Sequence, residues 1–315
     1  MARARVVGRA FLPWMLLAAC ADGGEGAAPP VLAGGAPPAE SGPVAGVAEA
    51  PAGRGASATA RDSAIVGATL RWAAQERLDT VPMGTAVARI GRGFVGSPYT
   101  PGTLDPPGPE RLVINLREFD CVTFVETVLA LARTARSDDP SFDRFTREVQ
   151  RLRYRGGVRD GYVSRLHYFS EWLQDNADRG LLDIVTPELG GARDPEPIDF
   201  MSSHADAYWQ LADEEALLGI RRIEARLSET PRFVLSENAI GDAESGIREG
   251  DVIAASSTLA GLDVAHTGIA VTVDGRVHLM HAPLVGDSVQ VSEVPLADRI
   301  LRIDAQDGVM VARPN

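Results

Sequence analysis

The chain has 315 residues, 45% of them hydrophobic, with a formal net charge of −12 and a pI near 4.9. That apolar share supports a packed core and excludes a wholly disordered chain, and the length allows one sizeable domain with an extension. So acidic a surface excludes a nucleic-acid or polyphosphate partner by repulsion, and no internal apolar run approaches the roughly 20 residues that span a bilayer.

The first twenty residues differ from the rest. Arg3, Arg5 and Arg9 give a positive start, Phe11 to Ala19 a short apolar stretch broken by Pro13, and Leu17-Ala18-Ala19-Cys20 a run of small residues before a cysteine. This order predicts a secretory signal and not a membrane span, and its end resembles the bacterial lipobox. Residues 1–20 are therefore expected to be a lipoprotein signal peptide. Cys20 would become the lipidated first residue of an exported cell-envelope protein, touching a membrane through that lipid only, with its domain in the periplasm. The alternative is an ordinary signal peptide with a chance cysteine. Residues 21–60, rich in Ala, Gly and Pro, bury too little apolar surface to offset the entropy of ordering, so they predict a disordered tether. The folded domain is expected over 61–315.

Within it the first half reads as helical. Ile65, Leu70, Trp72 and Ala73 fall in one segment. Pro82 to Ile90 is a shorter one, with Pro in its first turn and Gly91 just past its end. Cys121 to Arg136 spaces Val122, Val125, Leu129 and Ala132 for one buried face, and Phe142 to Leu152 follows. Ser164 is expected to cap a helix that carries Leu166, Phe169, Trp172 and Leu173. From about 232 the pattern turns to strands: Val252-Ile253-Ala254, then His266 to Val273 and Arg276 to Ala282 around Asp274-Gly275, then Val289 to Val294. Asp-Gly between apolar runs predicts a two-residue hairpin. Helices first and an antiparallel sheet second make the fold class α+β.

The chain holds two cysteines, Cys20 and Cys121. With Cys20 lipidated, Cys121 has no disulfide partner, and an unpaired thiol in an exported protein is either buried or used. In Phe119-Asp120-Cys121-Val122-Thr123-Phe124-Val125-Glu126 a loop delivers this cysteine to the first turn of a helix, where backbone N–H groups favour a thiolate. Asp120 opposes that unless it points elsewhere. The bland alternative is an inert packed cysteine.

A thiolate nucleophile needs a base. Counting outward from Asp274-Gly275 pairs Val273 with Arg276 and sets Gly268 opposite His281, so His266 and His281 are diagonal neighbours on one face. His278 pairs with Val271 and points to the opposite face. This is the arrangement of a base, His266, and an orienting partner, His281, with the Cys121 helix expected against the same face. Zinc held by Cys121, His266 and His281 is a rival use of the same residues, although no short ligand pair such as Cys-x-x-Cys or His-Glu-x-x-His is present.

Asp120-Cys121, Gly250-Asp251-Val252-Ile253, His266-Thr267-Gly268-Ile269-Ala270 and His281-Ala282-Pro283, in that order, resemble the NlpC type of papain-like cell-wall cysteine hydrolases. Gly96-Ser97-Pro98-Tyr99 looks like that family's approach segment. Asn115-Leu116, the run from Phe119 to Glu126, Ser164-Arg165-Leu166-His167-Tyr168-Phe169 and Gly261-Leu262-Asp263-Val264-Ala265-His266 are similar to its N-acetylmuramoyl-L-alanine amidase-like branch. The similarity spans roughly 65 to 305. It implies a papain-like core, no cofactor, catalytic Cys121, His266 and His281, and cleavage of the amide between N-acetylmuramic acid and L-alanine in peptidoglycan or muropeptides. A long helical insertion, about 140 to 230, departs from the usual pattern. Its Arg165, His167 and Tyr168 are the candidate substrate-binding residues: on a helix, 165, 168 and 172 form one stripe, which would set Arg165 beside two aromatic rings to meet a substrate carboxylate. The plainer reading makes Tyr168 and Trp172 core and Arg165 a salt-bridge residue. Competing functions are a stem-peptide endopeptidase, a catalytically silent envelope-binding protein and, more distantly, an acyltransferase on a related fold.

Overall fold

The computed structural model describes residues 56–315, so the signal segment, Cys20 and nearly all of the tether lie outside the described residues. Ala56–Ser57 (β1) pairs in parallel with Leu112–Val113 (β2). Ala60–Gln75 (α1) starts at Thr59, whose side chain exchanges capping bonds with Asp62. The buried Asp62 carboxylate also accepts Leu116 N–H at 3.0 Å and Arg117 Nε–H at 3.1 Å, which ties α1 to the segment approaching Cys121. Met83–Arg92 (α2) runs one residue past Gly91, which the sequence placed outside the helix. A Cβ on Gly91 would lie 2.4 Å from Met280 Cε, so glycine is kept there for close helix–sheet packing and not as a stop.

Cys121–Ala135 (α3) and Phe142–Arg153 (α4), capped by Ser141, follow as expected. The next helix does not start at Ser164. Residues 162–164 form a single 3-10 turn, Arg165 is extended, and Phe169–Asp178 (α5) begins after Tyr168. Leu166 N–H bonds Arg153 O across this kink at 2.9 Å, a tertiary contact that helical spacing could not reveal.

The expected helical insertion is mixed. It holds Phe200–Ser203 (α6) and Glu214–Glu229 (α7), but also Leu182–Ile184 (β3) and Ala192–Asp194 (β4), which belong to the main sheet. After Arg232–Ser236 (β5) come Ile240–Ala243 (α8), Val252–Ser257 (β6), Val264–Val273 (β7), Arg276–His281 (β8), Gln290–Val291 (β9), Leu296–Ile300 (α9) and Gln306–Pro314 (β10). The sheet order is β4-β5-β10-β6-β7-β8-β9, antiparallel throughout, with β3 also on β10. The fold is α+β. The strand expected over 289–294 shortens to two residues, whereas β10 is a central strand that the sequence reading passed over.

Two faces of this sheet are buried. On one, Val252, Ala254, Ile269, Val271 and Met280 pack under Phe124, Val125, Val128 and Leu129 of α3 and under α1, α2 and α4. On the other, Ile253, Ala255, Ala270, Leu279, Val309 and Val311 meet Ile240 and, from α9, Leu296 and Ile300. A third cluster, Tyr168, Ile198, Phe200, Ile220 and Ile223, roots α6 and α7.

Candidate active site

Cys121 is the first residue of α3 because Asp120 caps it. Asp120 Oδ1 accepts Thr123 N–H at 2.8 Å, and Asp120 N–H donates to Thr123 Oγ1 at 2.9 Å. The carboxylate that might have opposed a thiolate is thereby turned to the helix's own N–H groups. Burial raises the Asp120 pKa, opposed by the Thr123 bonds and by Arg153. The half-buried Cys121 thus sits where a helix favours negative charge.

The hairpin has the register read from the sequence. Val273 pairs with Arg276, Val271 with His278, and Asp274 and Gly275 both take positive φ, 48° and 80°, as the tight two-residue turn requires. Consequently His266 Nε2 lies 2.6 Å from His281 Nδ1, with the rings edge to face at 83° and centroids 4.9 Å apart. A Cβ on Gly268 would fall 2.7 Å from Met280 O and from Leu279 Cδ1, and 3.0 Å from His281 Cβ, so glycine lets β7 and β8 close up beside this pair. His278 turns the other way in the sheet and engages Ser292 O through Nδ1 at 2.8 Å.

One expectation about the pair needs correcting. Cross-strand partners share a face, and His266 is opposite Ala255. The histidines therefore issue on the Ala255–Leu279 side, while the flank of α3 seats on Ile269, Val271 and Met280. His266 stands at a register shift, between the Ala255–His266 and Ser256–Val264 pairs. Such an irregularity bends the strand and re-aims side chains.

A short segment ties the two halves together. Phe119 N–H bonds Pro98 O at 2.9 Å and Thr100 N–H bonds Phe119 O at 2.9 Å. On its other edge Tyr99 N–H bonds Asp287 O, Gly96 N–H bonds Val289 O and Val289 N–H bonds Ser97 O, each at 2.8 Å. Residues 96–100 therefore join the run into Cys121 to the run out of His281. The motif Gly96-Ser97-Pro98-Tyr99 has this structural task whatever else it does.

Both rings are held neutral. Burial and then the charge of Arg299 lower the His266 pKa to about 3. Burial, His266 and Arg299 push that of His281 well below its usual range. Arg299, buried in α9, donates from Nη1 to Gln306 Oε1 at 3.2 Å. Sequence reasoning missed this cation, because only the tertiary fold brings α9 under β7 and β8. Among the described residues no group of three or more His, Cys, Asp or Glu side chains is placed to hold a metal ion.

Arg165, Tyr168 and Trp172 do not form the expected helical stripe, because Arg165 is extended and α5 begins only after Tyr168. Arg165 is buried over the Tyr162 ring at 5.0 Å, with Nη1 on Leu104 O at 2.7 Å and Nη2 on Asp105 Oδ1 at 2.6 Å. His167 Nε2 meets Tyr162 O at 2.9 Å, and burial with the Arg165 charge lowers its pKa well below the usual range. Tyr168 is core: its OH donates to Glu224 Oε1 at 2.7 Å and accepts Met201 N–H at 2.8 Å. Asp105, the partner of Arg165, lies sixty residues upstream, and no sequence signal marked it.

A family described as AmiA-like, N-acetylmuramoyl-L-alanine amidase-like, matches residues 89–306. Among solved structures, an N-acetylmuramoyl-L-alanine amidase from Bacteroides uniformis is 36% identical with a TM-score of 0.71, the match covering 74% of this chain and 99% of that one. A Bacteroides fragilis protein described as a xylanase is also 36% identical, with a TM-score of 0.68 and coverages of 71% and 98%. A Legionella pneumophila protein at 21% identity and a TM-score of 0.57, with coverages of 80% and 96%, shares the fold. No curated protein matches the chain.

Proposed function

The chain belongs to the AmiA-like, N-acetylmuramoyl-L-alanine amidase-like family, and from that membership we propose a cysteine hydrolase with a papain-like, NlpC-type core that cuts the amide joining N-acetylmuramic acid to L-alanine in peptidoglycan or muropeptides. The observation that carries the mechanism is the 2.6 Å contact between His266 Nε2 and His281 Nδ1. Two neutral rings so placed share one proton. If His266 Nε2–H donates to His281 Nδ1, then His266 Nδ1 is the basic nitrogen. In this reading Nδ1 takes the Cys121 thiol proton as Sγ attacks the lactyl carbonyl carbon. The Cys121 backbone N–H, at the helix start, steadies the oxyanion. His266 then gives the proton to the departing alanine nitrogen, and water, deprotonated by His266, releases the acyl group from sulfur. Because the flank of α3 lies on the opposite face from the histidines, it is the N-terminal end of the helix that must meet His266, where the strand irregularity re-aims it. Arg165, His167 and Tyr168 act here by fixing the wall beside this end.

The xylanase description of the Bacteroides fragilis relative asks for two carboxylates flanking a glycosidic bond. Near Cys121, Asp120 is engaged in the helix cap and Glu126 in bonds to Arg153 and Trp172, so the acids there serve the fold. Mass spectrometry of defined muropeptides after incubation with the protein tests the amidase reading. Free muramic acid with an unblocked L-alanine terminus supports it. Release of a dipeptide would favour a stem-peptide endopeptidase, and no cleavage a silent binder.

The neutral pair sets a pH expectation. A base must be unprotonated to accept the thiol proton, and the His266 pKa is lowered to about 3. Activity should therefore persist as pH falls through 6.5, the ordinary imidazole value, and the acid limb of kcat/KM should lie below it. A limb at or above 6.5 would contradict a buried neutral base.

Cys20 we propose as the lipid anchor of an exported, periplasm-facing protein, on the strength of Leu17-Ala18-Ala19-Cys20. A fatty-acid probe fed to expressing cells should label the wild type and not Cys20→Ala; equal labelling of both would refute the anchor.

A further inference from the structure

A cation is buried under the sheet face that carries His266 and His281. His281 and Leu279 share one side of β8, and Leu279 and Ala255 belong to the same packed cluster as Leu296, Ala297 and Ile300 of α9. Arg299, in that turn of α9, is 3% exposed. Its Nη1 donates to Gln306 Oε1 at 3.2 Å, and Gln306, on β10, is 2% exposed. A guanidinium only donates and keeps its proton, so this bond both orients the Gln306 amide and fixes a full positive charge in place.

The surroundings of the pair disfavour a second proton. The rings already share the proton between His266 Nε2 and His281 Nδ1. The other nitrogen of His281, Nε2, is buried and has no hydrogen-bond partner among the described residues. An imidazolium there would leave a charged donor unsatisfied, which costs more than a neutral one.

The acids of the neighbouring elements are engaged or turned outward. Asp120 caps α3. Asp263, just before β7, accepts the N–H groups of Ser170 and Val264. Asp298 of α9 lies within charge reach of Arg276, at the hairpin turn. Asp307 of β10 accepts Ser256 Oγ–H, and Asp287 and Glu293, on either side of β9, are exposed. His278 turns to the opposite side. Cys121, the proposed nucleophile, and Arg299 complete the set. Burial and then Arg299 lower the pKa of His266, and Arg299 acts on His281 in the same direction after burial and His266.

We propose that Arg299 is a positioning residue for the base: held by Gln306, its charge bars a second proton from the two rings, so that His266 meets the Cys121 thiol as a free base even in acid. The consequence for turnover rests on the cysteine-hydrolase reading above and deepens it. The same charge acts once the S–H bond has broken and Nδ1 of His266 holds the proton. It makes that cation a strong acid, ready to pass the proton to the departing nitrogen, while the thiolate beside it offsets part of the repulsion.

Two variants of the full chain separate charge from packing. Arg299→Met keeps most of the bulk and removes the charge. Gln306→Glu keeps the guanidinium and its contacts but sets a carboxylate on it, which cancels most of its effect at a distance. Histidine-selective 15N NMR between about pH 4 and pH 8, where imidazoles ordinarily titrate, reads the rings directly, with His266→Gln and His281→Gln assigning them. In the wild type both rings should stay neutral down to about pH 5. In each variant they should take up a proton roughly 1–3 pH units higher than in the wild type, and the acid limb of kcat/KM should rise with them. A titration unmoved by Gln306→Glu, or by a folded Arg299→Met, overturns the proposal, since burial or packing would then hold the rings neutral. Should Arg299→Met fail to fold, Gln306→Glu decides alone. A raised titration with an unmoved acid limb would overturn the part Arg299 plays in the reaction. The NMR needs no turnover, so if no muropeptide is cleaved the amidase reading falls while the effect of Arg299 on the pair is still decided.

Discussion

Cys121→Ala is expected to abolish the proposed amide cleavage, with a loss of at least about a thousandfold in kcat, since removing the proposed covalent nucleophile leaves only binding and oxyanion stabilisation. Stability should change by no more than about 1 kcal/mol, because Cys121 is half-buried and the cap that starts α3 belongs to Asp120 and Thr123. Cys121→Ser should be nearly as inactive, since a hydroxyl is far harder to deprotonate than a thiol beside the same base. His266→Ala should follow it closely. His281→Ala should be milder, on the order of 10–100-fold against the 10²–10⁴ typical of a general base, because in the proposed mechanism His281 only orients the base and fixes its tautomer. Substrate loss and circular dichroism on the same preparations check all four. Wild-type turnover by Cys121→Ala with an intact fold would remove the cysteine mechanism.

The site was legible where a short-range rule governs it. Asp274-Gly275 sets a two-residue turn, the turn sets the register, and the register brings His266 to His281, all within sixteen residues. The start of α3 at Cys121 follows equally from Asp120 and Thr123. What was hidden depends on distant parts of the chain. The α5 start moved from Ser164 to Phe169 because Arg165 and Leu166 are pulled into contacts with Asp105 and Arg153. The run Val309-Met310-Val311-Ala312 has no alternation to betray a strand, since β10 lies between β5 and β6 with both faces covered. Likewise β3 and β4 are three-residue strands, stable only as additions to a formed sheet. The face that α3 covers could not be read from either element alone: the hairpin fixes which residues share a side, but only Met280 fitting against Gly91 and Phe124 decides which side the helices take.

Glu126→Ala is expected to cost about 3–5 kcal/mol of stability, the range for removing one partner of a buried ion pair. Glu126, 1% exposed in the second turn of α3, accepts Arg153 Nε–H at 2.7 Å and Trp172 Nε1–H at 3.2 Å. Arg153, 3% exposed, also donates from Nη1 to Val113 O at 2.6 Å. One carboxylate thus joins α3, α4 and α5, and its cation reaches β2. With alanine in its place the Arg153 charge stays buried beside a cavity and the indole N–H has no acceptor. Glu126→Gln keeps the shape and an acceptor for Trp172 but not the charge, so its loss should be smaller, about 1–3 kcal/mol. The cost belongs chiefly to the abandoned cation, because taking two charges out of water consumes most of what their attraction returns. Pairing Glu126→Leu with Arg153→Met should therefore recover much of the loss, and denaturant melts of the four proteins measure it. A double variant as unstable as Glu126→Ala would show instead that the network's hydrogen bonds, and not the stranded charge, hold α3 in place beneath Cys121.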